Sequence, residues 1–425
     1  MAEQTKSIFV YGDWENLHGP KLIGTLFSQN LKNKEIFSFE YNPAWLKENP
    51  ISFFDPDLQF YSGRQFLEQD KTLFGVFTDS CPDSWGRVLM TRREAILAKE
   101  EGRVKKKLTE SDYLLGIQDE LRTGALRFKT SEDGYFLAAD KEHIIPVWTS
   151  IRELEDAAFR FDAGDGTDEE IKQWLKLLLQ PGSSLGGARP KATVRAPDGS
   201  LWIAKFPSKH DSIDTGAWEM VVHELAVMCG LNVPQAKCER FSKNGHTFLV
   251  KRFDRVGKGS ADAIPARIHF VSAMTVLGKK DGDGADSGVS YLDIAQAIRQ
   301  NSVTPKKDLQ EMWKRIVFSI AVTNTDDHLR NHGFLFDSNG FRLSPLYDVN
   351  PNPEGTGLSL NIDEADNSLD FDLAIQVAPY FEMKKDEAVN YVAETKRNVA
   401  SWKQIAQRFD IPRSAVLEME NCFKV

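Results

Sequence analysis

The run Asn324-Thr325-Asp326-Asp327-His328-Leu329-Arg330-Asn331-His332 decides the reading of this chain. It follows an apolar helical stretch over 308–323 and precedes the strand-like Gly333-Phe334-Leu335-Phe336-Asp337. A run this polar, broken only by Leu329, does not belong in a core. Asp326 and Asn331 stand in a D-x-x-x-x-N spacing. An Asp so placed can accept the proton of an attacking hydroxyl, and an Asn one loop turn later can bind a metal ion carried on phosphates. An Asp/Asn-rich surface turn would have the same composition, so the surroundings must discriminate.

Downstream lies Leu343-Ser344-Pro345-Leu346-Tyr347-Asp348-Val349-Asn350-Pro351. Kinases carry a second metal-binding Asp beyond a D-x-x-x-x-N loop, usually within D-F-G. Here the tripeptide is Tyr347-Asp348-Val349, so only the Asp carries over. Mg²⁺ is a hard cation that prefers oxygen ligands, which Asn331 and Asp348 would supply. Upstream, Lys205 ends the apolar run Leu201-Trp202-Ile203-Ala204. A Lys in such a strand is costly unless paired. Nucleotide phosphates would pair it, with Glu219 a second partner, although Glu224 lies on the same helix; snorkelling from an edge strand is the bland alternative.

Before that strand comes Gly182-Ser183-Ser184-Leu185-Gly186-Gly187-Ala188-Arg189-Pro190-Lys191. Glycines let backbone N–H groups approach phosphate. The loop is neither a Walker A nor a G-x-G-x-x-G sequence, and a flexible connection would look similar. Phe248-Leu249-Val250-Lys251-Arg252-Phe253-Asp254-Arg255 would form a hinge, with backbone groups of Lys251, Arg252 and Phe253 meeting an adenine edge.

The rest of the chain suits two lobes around a cleft: 425 residues exceed what one core usually serves. Residues 7–40 alternate apolar and polar, the period of half-buried strands. Helical spacing follows from about 66 to 122, clearest in SWGRVLMTRREAILAKE, and again over 144–180 in TDEEIKQWLKLLLQ, where Thr167 or Asp168 can cap. Two strands joined at Asp198-Gly199 come next, then a helix over 214–230 ending at Gly230. Beyond 255 the chain is mainly helical.

The net charge is −9, so a basic nucleic-acid footprint is lacking and any DNA contact would come through a partner. Four scattered cysteines without a CxxC pair read as free thiols. No stretch approaches the ~20 apolar residues of a membrane span. The start lacks the order of a signal peptide, so the chain is expected in the cytoplasm.

Taken in order, SSLGGARPKA, WIAKFPS, FLVKRFDR, RIHF, NTDDHLRNHGF and LSPLYDVNP resemble the HipA family of bacterial serine/threonine kinase toxins, as do FTDSCPDSWGR at 77–87 and TGALRF at 123–128. The resemblance implies an α+β, two-lobed protein-kinase-like fold with a small β-rich N-terminal subdomain and a helical C-terminal lobe. The stretches expected are 1–125, 126–255 and 256–425. It implies Asp326 as catalytic base, Asn331 and Asp348 as Mg²⁺ ligands, and Lys205 on the ATP phosphates. Ser184, Leu185, Gly186, Gly187 and His328 would border the nucleotide. Ser184, or else Ser183, would be autophosphorylated, adding about −1.5 to −2 charges beside the nucleotide phosphates. Partners implied are a HipB-like helix-turn-helix antitoxin, with DNA reached only through it, and a protein substrate such as an aminoacyl-tRNA synthetase. A small-molecule phosphotransferase and a kinase-like co-repressor are the alternatives.

Three signals are set aside. Asp281-Gly282-Asp283-Gly284-Ala285-Asp286 departs from a calcium loop at its fifth, sixth and twelfth positions, Ala285, Asp286 and Leu292. His328 and His332 lack a third zinc ligand nearby. Leu309, Met312, Trp313, Ile316 and Ile320 form a core stripe.

Overall fold

The alternation of residues 7–40 becomes the antiparallel strands Lys6–Gly12, Lys21–Leu31 and Lys34–Tyr41. Arg64–Phe66 adds to one edge of this sheet and Leu126–Lys129 to the other. The inward face of the sheet carries Ile8, Val10, Leu26, Phe39 and Phe128, all buried. Phe77, from the short helix Gly75–Thr78, packs its ring against Phe39 at 5.6 Å and Phe128 at 6.1 Å. Burying one such ring stabilises by about 1.5–3 kcal/mol.

The structure is a computed structural model and describes residues 5–31, 34–48, 55–68, 70–137, 145–179, 187–257, 265–337 and 340–425. Its chain divides into two units, each drawn from two stretches: 1–209 with 254–271, and 210–253 with 272–425.

In the first unit the sheet is followed by the helix Ser84–Glu100, capped by Asp83, whose Oδ1 accepts the Gly86 N–H at 2.7 Å. The helix Asp168–Leu179 begins with a reciprocal box: Thr167 N donates to Glu170 Oε2 at 2.8 Å, and Glu170 N to Thr167 Oγ1 at 3.4 Å. Thr167 is therefore the cap and Asp168 the first helical residue. Lys191–Arg195 and Leu201–Lys205 form the expected hairpin, turned at Gly199 with φ +80°. The 254–271 stretch is tied in by charge. Asp254 accepts the Gly124 N–H at 2.8 Å, and Asp119 accepts from both Arg127 and Arg267. That network gives the TGALRF stretch its structural role.

In the second unit the helix Thr215–Met228 is capped by Asp214 and precedes the hairpin of Ala236–Ser242 and Gly245–Lys251. A Cβ on Gly216 would meet the His246 carbonyl oxygen at 2.1 Å, so that close approach requires glycine. The helices Tyr291–Asn301, Pro305–Ala321, Lys385–Val399, Trp402–Arg408 and Arg413–Glu418 follow, with one hairpin, Gly333–Asp337 and Gly340–Leu343. Trp218, Val222, Phe318, Trp402 and Phe423 share a core, where Trp402 stacks on Phe423 at 4.3 Å. The succession expected from the sequence is the one found: a β-rich start, a mixed middle and a helical end. Among the described residues, no helix is long and apolar enough to cross a membrane.

Candidate active site

The site grows out of the end of the Pro305–Ala321 helix. Leu309, Met312, Trp313, Ile316 and Ile320 are fully buried along one side and anchor it. At its end Thr323 turns into the left-handed region, φ +51°, and its hydroxyl donates to the Cys422 carbonyl at 2.8 Å. A β-branched residue there costs on the order of 1–2 kcal/mol, so the turn is held by its surroundings. Asn324 supplies part of that hold. Its N–H donates to Ser319 O at 2.8 Å, and its Oδ1 accepts the Asn350 N–H at 3.2 Å. Asn352 Nδ2 donates to Thr325 Oγ1, and Ser359 Oγ to Thr325 O, both at 2.8 Å. The polar run is thus stitched to the 350–359 segment.

Adjacent aspartates then diverge. The Asp326 side chain is 83% exposed, with Oδ1 4.0 Å from His328 Nε2. Its carboxyl is held above its ordinary value, first by desolvation and then by the negative charges of Asp348 and Asp327; His328 and Arg330 oppose this. Asp327 is buried and occupied. Its Oδ2 accepts from Tyr291 OH at 2.6 Å and Ser319 Oγ at 3.2 Å, and His332 Nε2 lies 3.1 Å from Oδ1. Burial acts to raise this carboxyl, but those three neighbours outweigh it and hold it low.

Asn331 is buried, and its Nδ2 donates to Asp326 O at 2.8 Å. That bond leaves the amide oxygen as the end able to face a cation. Asp348 adopts φ +57°, a conformation Asp tolerates better than most residues, and its Oδ1 accepts from Asn350 Nδ2 at 3.3 Å. Tyr347 OH donates to Arg330 O at 2.6 Å, which ties the Tyr-Asp-Val tripeptide to the loop. The Tyr347 ring also packs against Phe253 at 5.4 Å. Of the other residues expected to meet an adenine edge, Arg252 is buried, and the Lys251 N–H is committed to Gln235 O at 2.8 Å.

The donor set suits Mg²⁺: an amide oxygen and a carboxylate, with phosphate and water as the usual remaining ligands. Among the described residues no group of three or more His, Cys, Asp and Glu is arranged to hold a metal ion.

Beside the loop opens a cavity of about 320 Å³, walled by Lys280, Asp281, Asp286, His328, Arg330 and Ser359 among others. Arg330 Nη2 lies 3.1 Å from Asp281 Oδ1, and Ala285 N donates to Ser359 O at 2.8 Å. The 281–286 loop, set aside as a calcium site, forms part of this wall.

In the first unit, Lys205 ends a strand whose five residues are all buried. Lys191 pairs opposite it in the hairpin. The Lys191 ammonium is 3.0 Å from Asp83 Oδ2, with both side chains buried, and 3.3 Å from Gly187 O. Gly187 has φ +92°. Ser183, Ser184, Leu185 and Gly186 lie outside the described residues. Glu219 is buried on the helix of the second unit.

Sequence reasoning left Asp326 and Asp327 separated only by their spacing to Asn331, and it missed Tyr291, Ser319 and the contact of Phe253 with Tyr347. No local signal joins Tyr291 to Asp327, because the two are 36 residues apart.

A family profile described as the HipA-like C-terminal domain matches residues 183–403, just over half of the chain. Y4mE of Sinorhizobium fredii (strain NBRC 101917 / NGR234), named as a candidate kinase, is 30% identical over 184 residues, covering 39% of this chain and 41% of Y4mE. A Haemophilus influenzae protein (strain ATCC 51907 / DSM 11121 / KW20 / Rd), also named as a candidate kinase, is 28% identical over 204 residues, covering 42% and 57%. The chain thus spans about half the length of the curated relatives it matches. Among solved structures, a chain of the Shewanella oneidensis MR-1 toxin–antitoxin complex of HipA, HipB and operator DNA matches with a TM-score of 0.63. That match covers 95% of this chain and 93% of the other at 17% identity, a likeness of fold.

Proposed function

Since the chain belongs to the family that carries the HipA-like C-terminal domain, we propose that it is an ATP- and Mg²⁺-dependent serine/threonine protein kinase. The observation that carries this reading is the contrast at the polar loop. Asp326 presents an open carboxylate while Asn331, five residues on, holds the carbonyl of Asp326 with its amide nitrogen.

In this reading Asp326 takes the proton of the acceptor hydroxyl, a contribution of roughly 10²- to 10⁴-fold in rate. Asn331 and Asp348 hold Mg²⁺, which would neutralise charge on the phosphates when bound. Lys205 adds a fixed positive charge to the nucleotide's phosphates. Most of the catalysis is then orientation and electrostatic stabilisation rather than covalent chemistry. Ser184, or Ser183 in its stead, is the proposed autophosphorylation site. The substrate is proposed to be a translation-related protein such as an aminoacyl-tRNA synthetase. A HipB-like antitoxin is the proposed partner, with DNA contacted only through it, in the cytoplasm. The division into 1–125, 126–255 and 256–425 belongs to the same proposal.

The test is a labelled-ATP incubation of the purified chain, alone and with bacterial lysate, beside Asp326→Ala and Ser184→Ala. Label on the wild type and on one discrete lysate protein, both lost in Asp326→Ala, is the expected result. Nucleotide binding without label on any protein would overturn the protein-kinase reading in favour of a small-molecule acceptor or a binding role.

A further inference from the structure

We propose that Asp327 is a positioning residue that acts through Asp326, its buried carboxylate fixing the direction in which the neighbouring carboxylate points. This rests on the kinase reading and adds a residue to it.

Three elements converge on Asp327. Tyr291 is the first residue of the Tyr291–Asn301 helix, whose start is set by the Ser290 and Asp293 capping box. Ser319 belongs to the last turns of the Pro305–Ala321 helix. His332 closes the polar run, and its carbonyl accepts the Ala273 N–H at 2.8 Å. Tyr291 and His332 are fully buried, and Ser319 is 1% exposed. The contacts at 2.6, 3.2 and 3.1 Å therefore set the position of the Asp327 carboxylate from two helices and the far end of the loop.

The peptide joining the two aspartates is held from its other side as well. The Asp326 carbonyl accepts from Asn331 Nδ2 at 2.8 Å and from His328 N at 3.0 Å. The preceding Thr325 carbonyl is held as well, accepting from Ser359 Oγ at 2.8 Å, so the peptides on both sides of Asp326 are fixed and its Cα–Cβ direction with them. Only rotation about its own side-chain bonds is left. A buried carboxylate is an expensive way to fill space, and an apolar side chain of the same volume is often no less stabilising. What an apolar side chain lacks is direction: it accepts no hydrogen bond and would let the loop slide or rotate. Misplacing a reacting group by about 1 Å can cost about 100-fold in rate.

The test compares the full-length wild type with Asp327→Asn and Tyr291→Phe, each also in an Asp326→Ala background. Label transfer from ATP to protein is followed in bacterial lysate, and nucleotide affinity is read with a fluorescent ATP analogue. We expect Asp327→Asn to slow transfer by about 100-fold, and Tyr291→Phe to slow it less, with nucleotide affinity nearly unchanged and its melting temperature lowered only as far as the loss of one hydrogen bond to a buried carboxylate requires. In the Asp326→Ala background neither change should slow the residual rate further, because the group they position is gone. Wild-type transfer by both variants, alongside an impaired Asp326→Ala, would overturn the positioning role and leave the kinase reading standing. So would an equal fall in both backgrounds. Wild-type transfer by Asp326→Ala would overturn the kinase reading itself. Should Asp327→Asn fail to fold, Tyr291→Phe in the two backgrounds decides alone.

Discussion

Lys191 and Asp83 form an ion pair at 3.0 Å with both side chains almost entirely shielded from water. The pair links the N-cap of the Ser84–Glu100 helix to the Lys191–Arg195 strand, and so joins two stretches the sequence presented as unrelated matches. Lys191 also lies 3.3 Å from the Gly187 carbonyl, so it holds the end of the glycine-rich segment. Its charge is used inside the fold.

Removing one partner of a buried pair leaves the other charge uncompensated, at a cost of about 3–5 kcal/mol. Lys191→Met is therefore expected to lower the urea midpoint sharply. Asp83→Asn with Lys191→Met should recover much of the loss, since Asn can still cap the helix at Gly86. Equal destabilisation by the single and double variants would contradict this.

Asp348 holds φ +57°, where glycine is at ease. Asp348→Gly should keep unfolding stability within about 1 kcal/mol of wild type, yet abolish Mg²⁺-dependent label transfer. Melting curves and the transfer assay, run on the same preparation, separate the two effects. A stable variant with full activity would remove Asp348 from the proposed metal site.

Gly216 packs against the His246 carbonyl with no room for a methyl group. Gly216→Ala must push the Thr215–Met228 helix off the neighbouring hairpin, with an expected cost of about 1–3 kcal/mol. Chemical denaturation measures it directly. A change below about 0.5 kcal/mol would mean that the backbone gives way easily.

Asp55 titrates in an unusual range. Burial pushes its carboxyl up to about 7, the charge of Asp57 adds to this, and the N–H groups of Val76 and Asp57 with Lys71 oppose it. In the unfolded chain the same group ionises near 3.8. Between these values the folded state keeps a proton that the unfolded state has lost. Its stabilising contribution is thus complete below about pH 4, falls as pH rises, and is gone above about pH 7, at no more than about 1.4 kcal/mol per pH unit. Asp55→Asn should flatten that part of the stability profile. Parallel profiles for the variant and the wild type would show that Asp55 is ionised in the fold.

Much of the architecture was legible from local pattern. Alternation over 7–40 specified three strands because a half-buried sheet has a two-residue period. The 3.6-residue stripe of Leu309, Met312, Trp313, Ile316 and Ile320 specified the helix that carries the candidate site. Gly199, Gly230 and Thr167 marked a turn, a helix end and a helix start, because backbone conformation and orphan N–H groups are settled by nearest neighbours.

Composition and spacing also singled out Asp326, Asn331 and Asp348, but the expectation that so polar a run stays out of the core fails: Asn324, Asp327, Asn331 and His332 are buried, because hydrogen bonds and charge partners satisfy them there. Composition and spacing could not distinguish Asp326 from Asp327, which are chemically identical and adjacent. That difference depends on Tyr291 and Ser319 arriving from two helices, and on His332 folding back beside the second carboxylate. The same holds for Lys191, whose partner lies 108 residues earlier in the chain. Period, capping and turn chemistry are short-range and can be read along a chain. Which of two like groups is buried, paired and unavailable is a long-range outcome of packing, and only the folded chain decides it.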